Sequence, residues 1–218
     1  MLEVLNVLRS LPHLYNPSSG ERYAESNFFN AANCYPYYVR AAELIKPQRI
    51  LEIGSLLGFG LISFSVGFLG CQEIVSVDNE SYVPHSRRFC LENFEAAWRQ
   101  MALTEEQLAK KTQPEISFHA HYSELMRRNR RAEDGFDLIH VDGDHSYEGA
   151  IADMLFSWSL KPRFMLVDDY YSIDSVRVAV DSWARYYNVP FKVWDSFRGW
   201  AIFASDESDL DRLPDTLS

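Results

Sequence analysis

The sequence has little cysteine, an excess of acid over base, and no long apolar run. Its three cysteines, Cys34, Cys71 and Cys90, form no CxxC pair and no even set. That argues against a disulfide framework, and a reducing compartment is the simpler reading. Lys plus Arg number 21 against 31 Asp plus Glu, a formal net charge of −10. A general nucleic-acid binder needs a basic surface to displace counterions, so no nucleic-acid partner is expected. The longest apolar stretch, Gly60 to Cys71, is too short for a bilayer and carries Ser63, Ser65 and Gly67. The opening residues place Leu2, Leu5, Leu8 and Leu11 at helical spacing. They lack a basic leader and an A-x-A cleavage site, so they do not read as a signal peptide. A cytoplasmic protein with no membrane partner is the expectation.

What is present is enough for a core. The 218 residues are 47% hydrophobic and 14% aromatic, which suits one medium-sized domain with short extensions. No internal repeat or low-complexity tract interrupts it. The turn formers of His13 to Gly20 set an N-terminal helix apart from the rest. A helix is expected over Pro36 to Ile45, with Pro36 in its first turn and Pro47 just past its end. Strands and helices then alternate. The expected strands are Arg49 to Ile53, Glu73 to Val77, Ile116 to Ala120, Phe136 to Val141 and Phe164 to Val167. Expected helices run over Gly60 to Leu69, Ser86 to Met101 and Ser123 to Arg131, and along the apolar stripes Tyr147/Ile151/Met154/Trp158 and Val176/Val180/Trp183/Tyr187. Thr104 and Gln107 fit a capping box for an extra short helix. Phe191 to Trp194 and Trp200 to Ala204, joined through Arg198 and Gly199, read as a closing hairpin. Such alternation means βαβ units, a mostly parallel sheet and helices on both faces. Ligands of such sheets sit beyond the carboxyl ends of the strands. Gly54, Asp78, Asp142 and Asp168 stand at four of those ends.

Three motifs carry chemistry. The stretch Glu52-Ile-Gly54-Ser-Leu-Leu-Gly58-Phe-Gly60 is a glycine-rich strand-to-helix turn, which lets backbone approach a ligand closely. Its E-x-G-x-x-x-G-x-G spacing differs from the dinucleotide fingerprint G-x-G-x-x-G. Asp78 lies 24 residues after Gly54, where a carboxylate can accept both hydroxyl protons of a ribose; the alternative is a turn-forming Asp before Asn79. The third motif is Asp142-Gly-Asp144-His145-Ser-Tyr147-Glu148-Gly149 with the later Asp168-Asp169-Tyr170. Converging carboxylates repel unless a cation or protons compensate, and an all-oxygen donor set suits Mg²⁺, Mn²⁺ or Ca²⁺. The alternative is that these acids cap loops and helices.

Together these features resemble the class I S-adenosylmethionine (SAM)-dependent methyltransferases, from about Pro36 to Ala204. The DGDHSYEG and VDDY stretches are similar to those of metal-dependent small-molecule O-methyltransferases of the macrocin type, which act on sugars, and more distantly of the catechol type. The resemblance implies a Rossmann-like α/β fold: a seven-stranded sheet, mostly parallel, with a C-terminal antiparallel hairpin and helices on both faces. It implies that Glu52, Gly54, Ser55, Gly58 and Gly60 hold the methionine part of SAM. Asp78 would bind the ribose, and Tyr122 and Ser123 would lie beside the adenine. Asp142, Asp168 and Asp169 would hold Mg²⁺ or a similar divalent cation, with Asp142 also touching the cofactor. Asp144, two residues after the first ligand, is the general-base candidate, with His145 beside it. Close relatives often carry His-Asp where this chain has Asp168-Asp169, and a Pro-Gly-Gly turn where it has Lys161-Pro162-Arg163.

The expected organisation is an N-terminal lid or homodimer contact over 1–35, a SAM-binding domain over 36–205 and a tail over 206–218. The acceptor would be a small-molecule hydroxyl, with a vicinal diol suited to a metal because both oxygens can bind it. His145 could equally cap the next helix. The Arg127, Arg128, Arg130, Arg131 run reads as a solvated helix end, and His119 with His121 makes no zinc site. Tyr170, Tyr171, Phe197 and Trp200 could stack on a planar acceptor, with core packing at least as good a reading of Trp200. The alternatives are a non-catalytic SAM-binding module, an N-methyltransferase, and an NAD-linked or nucleotide-sugar enzyme. The glycine spacing and the hairpin speak against the last of these.

Overall fold

The computed structural model describes residues 2–13, 34–81, 84–101, 114–128, 134–195 and 198–217. The strands are β1 (Arg49–Ile53), β2 (Glu73–Val77), β3 (Glu115–His119), β4 (Leu138–Val141), β5 (Phe164–Val167), β6 (Phe191–Trp194) and β7 (Trp200–Ala204). They form one seven-stranded sheet in the order β3-β2-β1-β4-β5-β7-β6. The first five are parallel, and β7 joins β5 and β6 antiparallel.

The helices are α1 (Leu2–Arg9), α2 (Tyr35–Ile45), α3 (Phe59–Gly67), α4 (Ser86–Gln100), α5 (Tyr122–Arg128), α6 (Tyr147–Ser159), α7 (Asp174–Tyr187) and α8 (Glu207–Asp211). Strands buried on both faces read as continuous apolar runs rather than alternating ones. β1, β2, β4, β5 and β7 are buried along their whole length, whereas the edge strands β3 and β6 are partly exposed. Alternate residues feed two cores. Ile50, Ile74, Leu138 and Leu166 pack with α1 to α4, and Leu51, Val75, Ile139 and Val167 pack with α5 to α7.

Local chemistry sets the helix ends, within one residue of expectation for α2 and α4, whereas α3 stops at Gly67, two residues before the expected Leu69. Pro36 occupies the first turn of α2, and Lys46 closes it in the left-handed region at φ 53°. Ser146 caps α6, its Oγ accepting from the Gly149 N–H at 3.1 Å. The expected tail instead contains α8 and buries Leu210, Leu213 and Leu217 in the first core. Asp206 starts that helix by accepting from the Ser208 N–H at 2.9 Å. The Thr104–Gln107 helix, Tyr23, Phe28, Phe29, Phe197, Arg130 and Arg131 lie outside the described residues. Among the described residues no helix is long and apolar enough to cross a membrane.

Candidate active site

Chain order reverses between β1 and β4, and in open α/β sheets the ligand crevice lies at this point, beyond the carboxyl ends of the strands. The sheet's ladder continues one residue past β1, β2, β4 and β5. Gly54 N–H donates to Val77 O at 2.9 Å, Asp142 N–H to Ile53 O at 2.9 Å, and Asp168 N–H and Asp78 N–H to Val141 O and His119 O at 3.0 Å. Gly54, Asp78, Asp142 and Asp168 therefore form one row, fixed by backbone bonds.

The glycine turn is shaped by close approach. Gly54 has φ 83°, and a Cβ there would lie 2.0 Å from the Asp142 carbonyl oxygen. A Cβ on Gly60 would lie 2.3 Å from Glu52 Oε1. The first turn of α3 thus rests directly on the Glu52 carboxylate. Ser55 binds the Ser76 hydroxyl from beneath. Asp78 closes the other side, with Oδ2 accepting from the Leu56 N–H at 2.8 Å and Oδ1 from the Glu80 N–H at 2.7 Å. This carboxylate orders the turn while standing half-buried at the crevice.

Glu52 is buried, and its pKa is raised by that burial, opposed in part by a hydrogen bond to His140. Oε1 lies 2.9 Å from His140 Nδ1, while Oε2 has no partner among the described residues. Burial disfavours a charged His140, but the bond and charge of Glu52 with the charges of Asp142 and Asp168 outweigh it and raise its pKa. A buried carboxylate oxygen with no donor is a place where a ligand cation would be satisfied.

The acidic residues divide into two groups. Asp142, His145 and Asp169 each turn one ligating atom to a common point, all within 4.8 Å of one another. His145 Nε2 lies 3.2 Å from Asp142 Oδ1 and 3.5 Å from Asp169 Oδ2. Asp142 holds the His145 pKa up. Burial raises the Asp142 pKa; the His145 bond opposes this and the Asp168 charge adds to it. Asp168 stands behind this group. Its Oδ2 accepts from Tyr38 OH at 2.7 Å, and its Oδ1 accepts from Trp200 Nε1 at 2.8 Å and from the Asp169 N–H at 2.7 Å. The expected ligand set of Asp142, Asp168 and Asp169 is thus close in space, but Asp168 spends both oxygens inward and His145 takes the third outward place. Asp169 is held at φ 62°, with Oδ1 accepting from Ser172 and Arg198 Nη1 3.7 Å away.

Asp144 is exposed, and its Oδ1 accepts from the Ser146 N–H at 2.8 Å. That bond lowers its pKa, which makes it a weaker base. Tyr122 stacks on Phe156 at 4.0 Å and donates to Asp153, whose other oxygen accepts from the Asp144 N–H at 3.2 Å. Ser123 is exposed at the start of α5. Cys34 is buried nearby; burial, then the Asp168 charge, pushes its thiol up to about 12, so it is no nucleophile at neutral pH.

Sequence reasoning missed Tyr38, His140 and Asp153. The signal for His140 was legible: a lone imidazole inside a strand otherwise apolar on both faces must find polar partners. Tyr38 gave no signal, since it sits on the apolar stripe of α2 with Ala41, Ala42 and Ile45.

Residues 51–170 match a protein-family model described as a methyltransferase domain. No curated protein matches the chain by sequence. Solved structures share the fold. Cofactor-bound Rv0187 from MTB is 18% identical, covers 94% of this chain and 88% of its own, and has a TM-score of 0.57. The O-methyltransferase from Bacillus cereus in complex with SAH is 16% identical, covers 93% and 89%, and has a TM-score of 0.56. CalS11, a TDP-rhamnose 3'-O-methyltransferase of calicheamicin biosynthesis, is 12% identical, covers 93% and 91%, and has a TM-score of 0.55. The family match covers the glycine turn, Asp78, the Asp142 loop and Asp168-Asp169, and spans more than half of the 218 residues; the chain belongs to this methyltransferase-domain family.

Proposed function

We propose that the protein transfers the methyl group of SAM to a hydroxyl oxygen of a small molecule bearing a vicinal diol, with the help of a divalent cation. The observation that carries the cofactor part is the cradle at β1: a turn with no room for a Cβ, lying over a buried carboxylate with a free oxygen. Glu52 Oε2 would accept from the ammonium of the methionine part, Asp78 would orient the ribose, and Tyr122 would flank the adenine. When bound, SAM supplies an electrophilic methyl group on a sulfonium. The chain's task is to hold that methyl in line with the acceptor oxygen and to keep water out.

At the acceptor end, Asp142 and Asp169 fit a hard cation such as Mg²⁺ or Mn²⁺. When bound, the cation supplies Lewis acidity at the acceptor oxygen. Asp168 would then act from behind, fixing the Asp169 backbone. His145 Nε2 lies between the two carboxylates and would be the cation's third ligand, which leaves Asp144, outside that group at the turn that starts α6, as the candidate proton acceptor. The oxygen acceptor is supported by the O-methyltransferases among the solved structures sharing the fold, and the sugar class by CalS11. Three buried, unbridged cysteines favour a reducing compartment such as the cytoplasm.

The test is transfer of a labelled methyl from SAM to a panel of catechols, sugar diols and their amino counterparts, with and without chelator. Labelled ether products that require the cation are expected. Products methylated only on nitrogen would overturn the oxygen assignment. Turnover that survives both chelator and Asp142→Asn would overturn the role of the cation.

A further inference from the structure

The buried imidazole of His140 has no assigned role, and it lies between the two halves of the site. Strand register puts it there. Glu52 and His140 are partners across β1 and β4, and His140 pairs with Leu166 across β4 and β5. All three lie two residues before the row of Gly54, Asp142 and Asp168 along their strands. Tyr38, Phe64 and Trp200 box the ring at centroid distances of 5.1, 5.4 and 6.3 Å, each edge-on. Its orientation is therefore fixed by packing. In that orientation Nδ1 meets Glu52 Oε1 at 2.9 Å, and Nε2 faces Asp168 Oδ2 at 4.0 Å. Nε2 and Glu52 Oε2 are both buried and have no hydrogen-bond partner among the described residues.

A histidine kept only to fill the core would have no reason to face a carboxylate with each nitrogen. Here the first carboxylate supports the glycine turn, since Gly60 packs on it. The second holds the Asp169 N–H and both aromatic donors, Tyr38 and Trp200. A shift of about 1 Å would turn the Nε2 separation into a hydrogen bond. We infer that His140 is a positioning residue that couples the cofactor end of the site, through Glu52, to the acceptor end, through Asp168. Whatever engages Glu52 Oε2 from the glycine turn then also biases the carboxylate that sets the Asp169 backbone. This inference rests on the cofactor site proposed above.

A double-mutant cycle on SAH affinity tests it, using calorimetry on wild type, His140→Phe, Asp168→Asn and the double variant. Coupling through the imidazole predicts that Asp168→Asn weakens SAH about fivefold or more when His140 is present. With His140→Phe also in place, the same change should alter affinity less than about twofold. A packing role moves the melting temperature but produces no such interaction. The same factor in both backgrounds overturns the inference while leaving the cofactor site intact. No SAH binding by the wild-type chain overturns both. If His140→Phe does not melt cooperatively, His140→Gln serves as the second background, since one amide can reach either carboxylate but not hold both.

Discussion

Gly54→Ala tests the cradle most sharply, because the structure supplies its own control. Gly54 and Gly135 have the same φ, 83°. An L-residue in that region costs about 1–2 kcal/mol at either position. Their surroundings differ. A Cβ on Gly135 would meet nothing closer than the Lys161 carbonyl oxygen at 3.4 Å, an ordinary contact. On Gly54 it would lie 2.0 Å from the Asp142 carbonyl oxygen, where real Cβ contacts essentially never fall below 3.0 Å. The turn after β1 and the loop after β4 must separate by at least about 1 Å, and overpacking of that kind costs a further ~1–3 kcal/mol. For a chain of this size each kcal/mol shifts Tm by about 2–4 °C. Gly54→Ala should therefore melt roughly 2–12 °C below Gly135→Ala. It should also lose SAH affinity, because the displaced loop carries Asp142. Gly135→Ala should bind SAH as wild type does. Equal melting temperatures and equal SAH affinities for the two variants would refute the claim that this close approach shapes the site.

Other outcomes follow from single contacts. Tyr38→Phe removes a buried donor to Asp168 and should lower the free energy of unfolding by about 1–3 kcal/mol, read by urea titration. Tyr122→Phe leaves Asp153 without its hydroxyl donor at a buried position and should lower stability by a similar ~1–3 kcal/mol in the same assay. Asp209 is held in two bonds by Arg163, at 2.9 and 3.0 Å, which lower its pKa below the unfolded value. The stability it contributes is present above the unfolded carboxylate range and is lost as pH falls through the folded value. The stability gap between wild type and Asp209→Asn should be widest near neutral pH and narrow as pH falls below the ordinary carboxylate range.

Much of the sheet was readable because its interior strands are buried on both faces. β1, β2, β5, β6 and β7 fall on their expected residues, and β3 is displaced by one. The strand over Phe136 to Val141 is shorter than expected, Leu138–Val141, because the Asp137 carboxylate turns back to accept the Gln48 and Arg49 N–H groups before β4 begins. α8 was missed because a short acidic stretch, ESDLD, shows no apolar period; only its single leucine, Leu210, docks. At the site, sequence placed the acids at the strand ends but could not say which way each carboxylate turns. That choice depends on donors far away in the chain: Tyr38 on α2 and Trp200 on β7 draw Asp168 inward and leave Asp142 and Asp169 to face His145.

The central claim is that the crevice between β1 and β4 binds SAM through the glycine turn and Asp78. Calorimetric titration of the wild-type protein and of Asp78→Ala with S-adenosylhomocysteine tests it most directly. Wild type should bind with a roughly micromolar Kd, and Asp78→Ala should lose at least about tenfold, or 1.4 kcal/mol. No heat of binding from the folded wild-type chain, or equal affinity in the variant, would contradict the account.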